Sequence, residues 1–327
     1  MKPSFSIGIE EEYQTIDPET FDLRSHIQTE LMAKGKRVLH EKVKAELHQS
    51  VVEVGTGVCR DIGEARADIV NLRRQMLQLA GENGLLLVAG ATHPFADWRE
   101  QDISPDERYL QVVEDMQLVA RANLIFGLHV HVGIEDRETA IHLMNQMRYF
   151  LPHLLVLSTS SPFFEGADTG LKSYRVSIFN ELPRTGLPGR LSDWGEYKST
   201  VDVLVRAGVI EDASKVWWDI RPSAHLPTLE MRLTDVCTRI EDALSIAAIY
   251  VCLCRMLYRL RRSNQSWRTY PVFLIGENRW RAQRYGVEGT LFDFGKRLLV
   301  PFKDLLEEII ELTRDDAAAL GCTAEVE

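Results

Sequence analysis

Residues 124–134 read LIFGLHVHVGI, and this run constrains the fold more than any other part of the chain. Successive side chains of an extended strand point to opposite faces. Leu124, Phe126, Leu128, Val130, Val132 and Ile134 then share one face, and Gly127, His129, His131 and Gly133 share the other. Such a strand needs a hydrophobic layer beneath it while its other side carries two imidazoles between glycines. Sheets with one buried and one open face are mostly antiparallel. The expectation is an α+β fold, with an antiparallel sheet backed by helices.

Three more segments repeat the anomaly. The N-terminal GIEEEY sits in β-branched and aromatic company, so residues 4–16 read as a strand. Gly8, Glu10 and Glu12 share one face of it, and Ile7, Ile9, Glu11 and Tyr13 the other. Carboxylates about 7 Å apart repel unless cations, arginines or water screen them. Taken alone, the run also fits a solvated edge strand. AELHQSVVEVGTGVC, residues 45–59, reads as a strand bearing Glu46 and Glu53. Their odd spacing opposes their faces, so either a bulge intervenes or Glu46 precedes the strand. KVWWDIRPS and PTLEMRLTDV read as two further strands, the second setting Thr228, Glu230, Arg232 and Thr234 against Leu229, Met231 and Leu233. Singly, these signals are weak: an HxH in a strand is more often packing than ligation, and Arg232 beside Glu230 fits a plain surface pair. Jointly, the polar faces add up to one lined cavity. Carboxylates with imidazole and without thiolate form a hard ligand set suited to Mg²⁺ or Mn²⁺.

The helices that would back the sheet are legible too. Asp61, with Glu64 three residues on, caps a helix whose Ile62, Ala65, Ile69, Leu72, Met76 and Leu79 recur at helical spacing. LLLVAGATHP reads as a short buried strand, PDERYLQVVEDMQLVARAN as a helix with Pro at its start, and DRETAIHLMNQMRYFLPHLLVLSTSS as another, ending at Pro162. Residues 163–190, punctuated by Gly and Pro, are too long a connection to be slack and read as a functional loop. SDWGEYKSTVDVLVRAG, IEDALSIAAIYVCLCRMLYRLRR and VPFKDLLEEIIEL complete the helices. In the second of these the uncharged run, 243–254, falls short of the roughly 20 residues a bilayer requires and reads as a core helix. Without internal repeats or linker-like stretches, residues 1–327 are expected to form a single domain.

Charge and cysteine usage exclude some functions. A formal net charge of −10 disfavours nucleic acid and anionic membrane as partners, so an anionic ligand must be met by local arginines. The five cysteines are odd in number and lack CxxC spacing, as expected of a reduced, cytoplasmic protein without structural zinc. The N-terminus lacks the basic-then-apolar pattern of a signal peptide.

GIEEEY, VEVGTGVCRDI, GATHPF, ERY, FGLHVHVG, SSPFFEGADTG, PRTGLP, WWDIRPSAHLPTLEMRLTDV and RAQRYG follow one another in an order that resembles the carboxylate-amine ligases of the type 2 glutamate-cysteine ligase family. The resemblance covers nearly the whole chain. It implies a glutamine synthetase-like catalytic fold: a curved, mainly antiparallel sheet with the active site on its concave face and helices on the other side. It also implies that a C-terminal helix of the relatives lies beyond GCTAEVE. Carried over, it groups Glu12, His129 and Glu230 around one metal and Glu10, Glu46 and Glu53 around a second, and leaves out Glu11. Arg221 and Arg232 match arginines that meet the transferred phosphoryl group, and Asn278, Arg279 and Arg284 a nucleotide-side segment. His131, Arg175 and Arg184 are candidates for holding a substrate carboxylate, although solvated loop charge is as good a reading of the two arginines.

The implied activity is ATP-dependent amide formation through an acyl phosphate, of a weak glutamate–cysteine ligase type, with Mg²⁺ or Mn²⁺ as cofactor. Its partners are an amino-acid carboxylate and an amine, and a homo-oligomer is compatible with it. A two-metal hydrolase of amides or phosphoesters would also need clustered carboxylates and histidine, but not several arginines on the same wall. A non-catalytic nucleotide-binding relative is the third reading, and the intact ligand set argues against it.

Overall fold

The computed structural model describes residues 2–26 and 31–327. Its main sheet has seven strands: β1 (Ile7–Ile16), β2 (Val43–Ala45), β3 (Val51–Gly55), β4 (Leu86–Val88), β5 (Leu128–Gly133), β6 (Ile220–Pro222) and β7 (Thr228–Met231). They run in the order β6-β7-β5-β1-β3-β2, and β4 pairs with the end of β1. Every pairing is antiparallel. β1 lies between β5 and β3, so the triple-glutamate strand is central and the solvated-edge reading of GIEEEY fails.

The alternation holds where it was sharpest. The six residues assigned to the apolar face of 124–134 are buried, as are Ile7, Ile9 and Tyr13 of β1. They pack with the stripe Ile62, Ala65, Ile69, Leu72, Met76 and Leu79 of the helix Ile62–Glu82, whose Asp61 carboxylate accepts from the Glu64 amide at 2.9 Å. The helix Ile240–Arg262 joins the same core. It is long and apolar enough to cross a membrane, but 72% of its most apolar window is buried inside the fold, which marks it as a core helix. Three arginines in its last turn complement the helix dipole. One of them, Arg259, reaches Asp316 of the helix Phe302–Leu320 at 2.8 Å, and Arg255 pairs with the same carboxylate.

Four expectations needed correction. The segment 45–59 is a hairpin rather than one strand, with Glu46 in the turn between β2 and β3. β4 is a rim strand and not a buried one, because it pairs only with the end of β1, and Leu86 is 41% exposed. The helix after Pro105 breaks at Gln117, whose φ of 52° interrupts the helical backbone between Glu107–Met116 and Leu118–Arg121. The helix after Asp136 divides into Arg137–Met147 and Leu151–Ser158, with Pro152 in the first turn of the second, where its missing N–H matters least. The long loop holds a helical turn, Arg175–Phe179, and is tied to the core by Asp235, which accepts from the Ser161 and Ser173 hydroxyls at 2.8 Å each.

Glu11 faces the helices, as its place in the alternation requires, and it is wholly buried. Arg73 of the helix Ile62–Glu82 meets it with Nε at 2.9 Å and Nη2 at 2.5 Å, and Tyr13 donates its hydroxyl to the same carboxylate. Arg73 also donates to the carbonyls of Cys237 and Thr238, so this pair fastens β1, a core helix and the segment after β7 together. Removing one partner leaves the other charge uncompensated, typically at about 3–5 kcal/mol. Glu11→Gln is expected to lose about that much unfolding free energy in urea while keeping divalent-cation affinity. An unchanged urea midpoint would contradict the pairing.

Candidate active site

The polar face of the sheet forms one wall of a cavity of about 390 Å³. Sheet register decides which groups meet there. Glu10 lies opposite His129, Glu12 opposite Glu53, Glu230 opposite His131, and Arg221 opposite Glu230. Directly opposed residues have Cβ atoms about 5 Å apart, within reach of a shared ligand.

Ligand atoms of Glu10, His129 and Glu230 lie within 4.8 Å of one another, and so do those of Glu12, Glu53 and His129. These clusters differ from the grouping that the resemblance implies in that Glu10 stands with His129 and Glu230, and Glu12 with Glu53 and His129. The cause is the register, which sets Glu10 beside His129 and Glu12 beside Glu53. Glu46 lines the cavity from its turn but belongs to neither group. The Glu12 carboxylate is further fixed by the Gly127 amide, which donates to it at 2.5 Å.

The arginines divide into two kinds. Arg221 clasps Glu230 with Nε at 2.9 Å and Nη2 at 3.2 Å, and its Nη1 donates to the carbonyls of Val216 and Ser214. Its donors are engaged, so it orients Glu230. Arg232 also donates to Glu230, but its buried Nε has no partner among the described residues. Arg175 lines the cavity, buried, with Nη1 on the Leu233 carbonyl at 3.1 Å and an unpartnered Nε. A Cβ on Gly127 would sit 2.3 Å from its Nη2, so the glycine makes room for this guanidinium. His131 lines the cavity and hydrogen-bonds the Thr228 hydroxyl at 2.9 Å.

Four residues assigned from the sequence stand outside the cavity lining. Arg184 lies over the Trp217 ring at 5.3 Å and donates to the Lys215 carbonyl. Asn278 exchanges two hydrogen bonds with the backbone of Phe292, and Arg279 makes a buried two-bond ion pair with Asp219. Arg284 is exposed and donates to the Gly170 carbonyl. Asn278 and Arg279 thus meet internal partners, whereas Arg284 has only its Nη1 engaged. Conversely, Lys44, Arg108 and Tyr109 line the cavity unforeseen. Lys44 was signalled by its place in the hairpin, opposite Glu53, but only once the turn is known.

Electrostatics favour a cation here. Burial pushes the Glu53 carboxyl up to about 7, the Glu10 charge adds to this, and Lys44 opposes it. Burial, then the charges of Glu53 and Glu12, raise Glu46 well above the usual carboxylate range. Burial would raise Glu10 as well, but hydrogen bonds from His129 and His131 outweigh it and hold Glu10 low. His129 is pushed down by burial and by Arg232, which keeps a neutral imidazole available as a ligand. Crowded oxygen donors with one neutral imidazole fit Mg²⁺ or Mn²⁺.

The sequence model of a family described as Glutamate-cysteine ligase family 2 (GCS2) matches residues 6–327. A protein of Solibacter usitatus named "Putative glutamate--cysteine ligase 2" is 54% identical over 326 residues, covering 100% of this chain and 85% of its own length. A namesake in Rhodospirillum rubrum is 52% identical over 329 residues, at 99% and 85% coverage. Among solved structures, a glutamate–cysteine ligase of Francisella tularensis in complex with AMP matches with a TM-score of 0.69 at 12% identity, covering 99% of this chain and 81% of that one. A bifunctional glutathione synthetase of Pasteurella multocida gives 0.68 at 12% identity, covering 98% and 47%. At that identity these two likenesses concern the fold, which is that of the glutamine synthetase-like ligases.

The raised carboxyl of Glu53 has a consequence for stability. Between its ordinary value of 4.5 and about 7 the folded protein holds a proton that the unfolded chain has released, so metal-free stability falls as pH rises through that window. A divalent cation relieves the repulsion and competes with the proton. Mn²⁺ is expected to raise Tm more at pH 8 than at pH 5.5 in differential scanning fluorimetry, and a larger gain at pH 5.5 would contradict this charge arrangement.

Proposed function

The chain belongs to glutamate-cysteine ligase family 2, whose activity class is carbon–nitrogen ligation, and we propose that it joins a carboxylate to an amine with ATP, through an acyl phosphate. Glutamate and cysteine are the substrates that the relatives' names suggest. The observation that carries the reading is one cavity in which Glu10, Glu12, Glu53, Glu230 and His129 share a wall with Arg221 and Arg232. Acidic groups hold cations, and arginines hold the anion those cations accompany.

A carboxylate is a poor electrophile. In the first step its oxygen attacks the γ-phosphorus of ATP, the bond to the bridging oxygen breaks, and ADP leaves. In the second step the amine attacks the acyl carbon, inorganic phosphate leaves with the bonding pair, and the nitrogen loses a proton. Divalent ions at the two ligand groups would neutralise phosphate charge. Arg232 supplies a guanidinium with donor capacity left, aimed at the charge that develops on the transferred group. Arg221 holds Glu230 in place for ligation, and Arg175, backed by the Leu233 carbonyl, lines the cavity as the candidate for a substrate carboxylate.

The direct test uses glutamate labelled with ¹⁸O in its γ-carboxylate, together with ATP, Mg²⁺ and cysteine. Label in the released phosphate and a γ-glutamyl product by mass spectrometry are expected. Unlabelled phosphate alongside ADP would exclude the acyl phosphate, and cleavage of amides or phosphoesters without ATP would replace the ligase with a two-metal hydrolase. Arg232→Lys keeps the charge and loses the planar fork, so kcat should fall by roughly 10²-fold or more with a smaller change in the KM for ATP. Reduced Tm with near-normal turnover per folded molecule would make Arg232 architectural instead.

A further inference from the structure

We propose that Lys44 is a built-in counter-ion of the carboxylate wall, holding in the metal-free protein the place that a divalent cation takes over. The inference rests on the reading of that wall as the metal site. β2 is a three-residue edge strand, and its register puts Lys44 opposite Glu53. The Lys44 Nζ lies 2.9 Å from Glu53 and 3.6 Å from Glu10. These carboxylates belong to different ligand groups, Glu53 with Glu12 and His129, Glu10 with His129 and Glu230. One ammonium therefore bridges both groups.

Of the other cations of the cavity, Arg108 lies over the Tyr109 ring at 5.6 Å and makes no ion pair with Glu10 or Glu53 among the described residues, and the rest are committed elsewhere. Arg221 and Arg232 pair with Glu230, Arg175 rests on backbone carbonyls, and Lys215 pairs with Glu211 at 3.6 Å. Among the described residues, Lys44 is the one lysine or arginine in ion-pair contact with Glu10 or Glu53. Its side chain is 54% exposed against 8% for Glu53. The aliphatic stem thus reaches in from solvent, and the ammonium can withdraw without repacking the core. A lysine suits this task because its compact charge sits on a flexible stem, whereas a guanidinium would hold its carboxylates in a fixed fork. The fold gains a wall of buried carboxylates that survives without metal, and in exchange every arriving cation must displace Lys44.

The test measures Mn²⁺ affinity directly, by electron paramagnetic resonance of free Mn²⁺ at one fixed pH and ionic strength and without nucleotide. The proteins are wild type, Lys44→Met, Lys44→Arg and Glu12→Gln. Lys44→Met should bind Mn²⁺ about tenfold tighter or more, since a unit charge a few ångströms away is removed. It should also melt lower than wild type in EDTA and gain more from added Mn²⁺. Lys44→Arg should bind no tighter than wild type. Equal or weaker binding by Lys44→Met, with Glu12→Gln still abolishing binding, would overturn the counter-ion role and leave the metal wall standing. If wild type bound no Mn²⁺, or Glu12→Gln bound it normally, the metal wall and the counter-ion would both fall.

Discussion

The sheet is organised around negative charge on its central strand. Three consecutive glutamates cannot share one environment, and strand alternation sends them two ways. Glu11 goes into the core, where Arg73 neutralises it and is itself anchored on the carbonyls of Cys237 and Thr238. Glu10 and Glu12 go to the opposite face, where the neighbouring strands supply histidine, lysine and further carboxylates. A buried ion pair is weak evidence of net stability, but it is intolerant of losing one partner. That intolerance fixes the register of β1, and with it every pairing that builds the cavity, since a slip of one residue would exchange the two faces.

The arginines in and near the cavity show how one side-chain type serves different ends. Arg221 and Arg279 are planar clasps on Glu230 and Asp219, with their donors directed at fixed acceptors. Arg232 and Arg175 keep an Nε that has no partner among the described residues, within a buried setting. An unmet donor away from water is unfavourable unless something else compensates it. In a cavity walled by carboxylates, the anion of the proposed reaction, accompanied by cations, would supply that compensation. A ligase has to stabilise just such a group while charge moves across it.

Glycines and the long loop support the same wall from behind. Gly127 uses its amide to fix Glu12 and its missing side chain to admit Arg175, so both the acidic and the basic parts of the site converge on one backbone position. Asp235, two residues beyond Leu233, draws in Ser161 just before the loop and Ser173 within it, two residues ahead of Arg175. Residues 163–190 are therefore held rather than slack, which is why a stretch rich in glycine and proline can place a side chain accurately.

What the sequence determined by itself is the polarity of its elements. Period-two alternation placed Leu124, Phe126, Leu128, Val130, Val132 and Ile134 inward, and 3.6-residue spacing identified the buried stripe of Ile62–Glu82, because these signals are local and each strand or helix carries its own. The same alternation separated Glu11 from Glu10 and Glu12, and the ordered motifs pointed to the family. Tertiary structure alone decided which polar groups meet. That Glu10 joins His129 and Glu230 while Glu12 joins Glu53 follows from the pairing of β1 with β5 and β3, strands that stand apart from it in sequence. The turn at Glu46, which sets Lys44 against Glu53, follows from a hairpin that a continuous β pattern conceals. Asn278 and Arg279 look in sequence like free polar donors, and only the folded chain brings up Phe292 and Asp219 to engage them. A residue's chemistry is written in its type and its face in its spacing, but its partner is set by register and packing, which no local stretch contains.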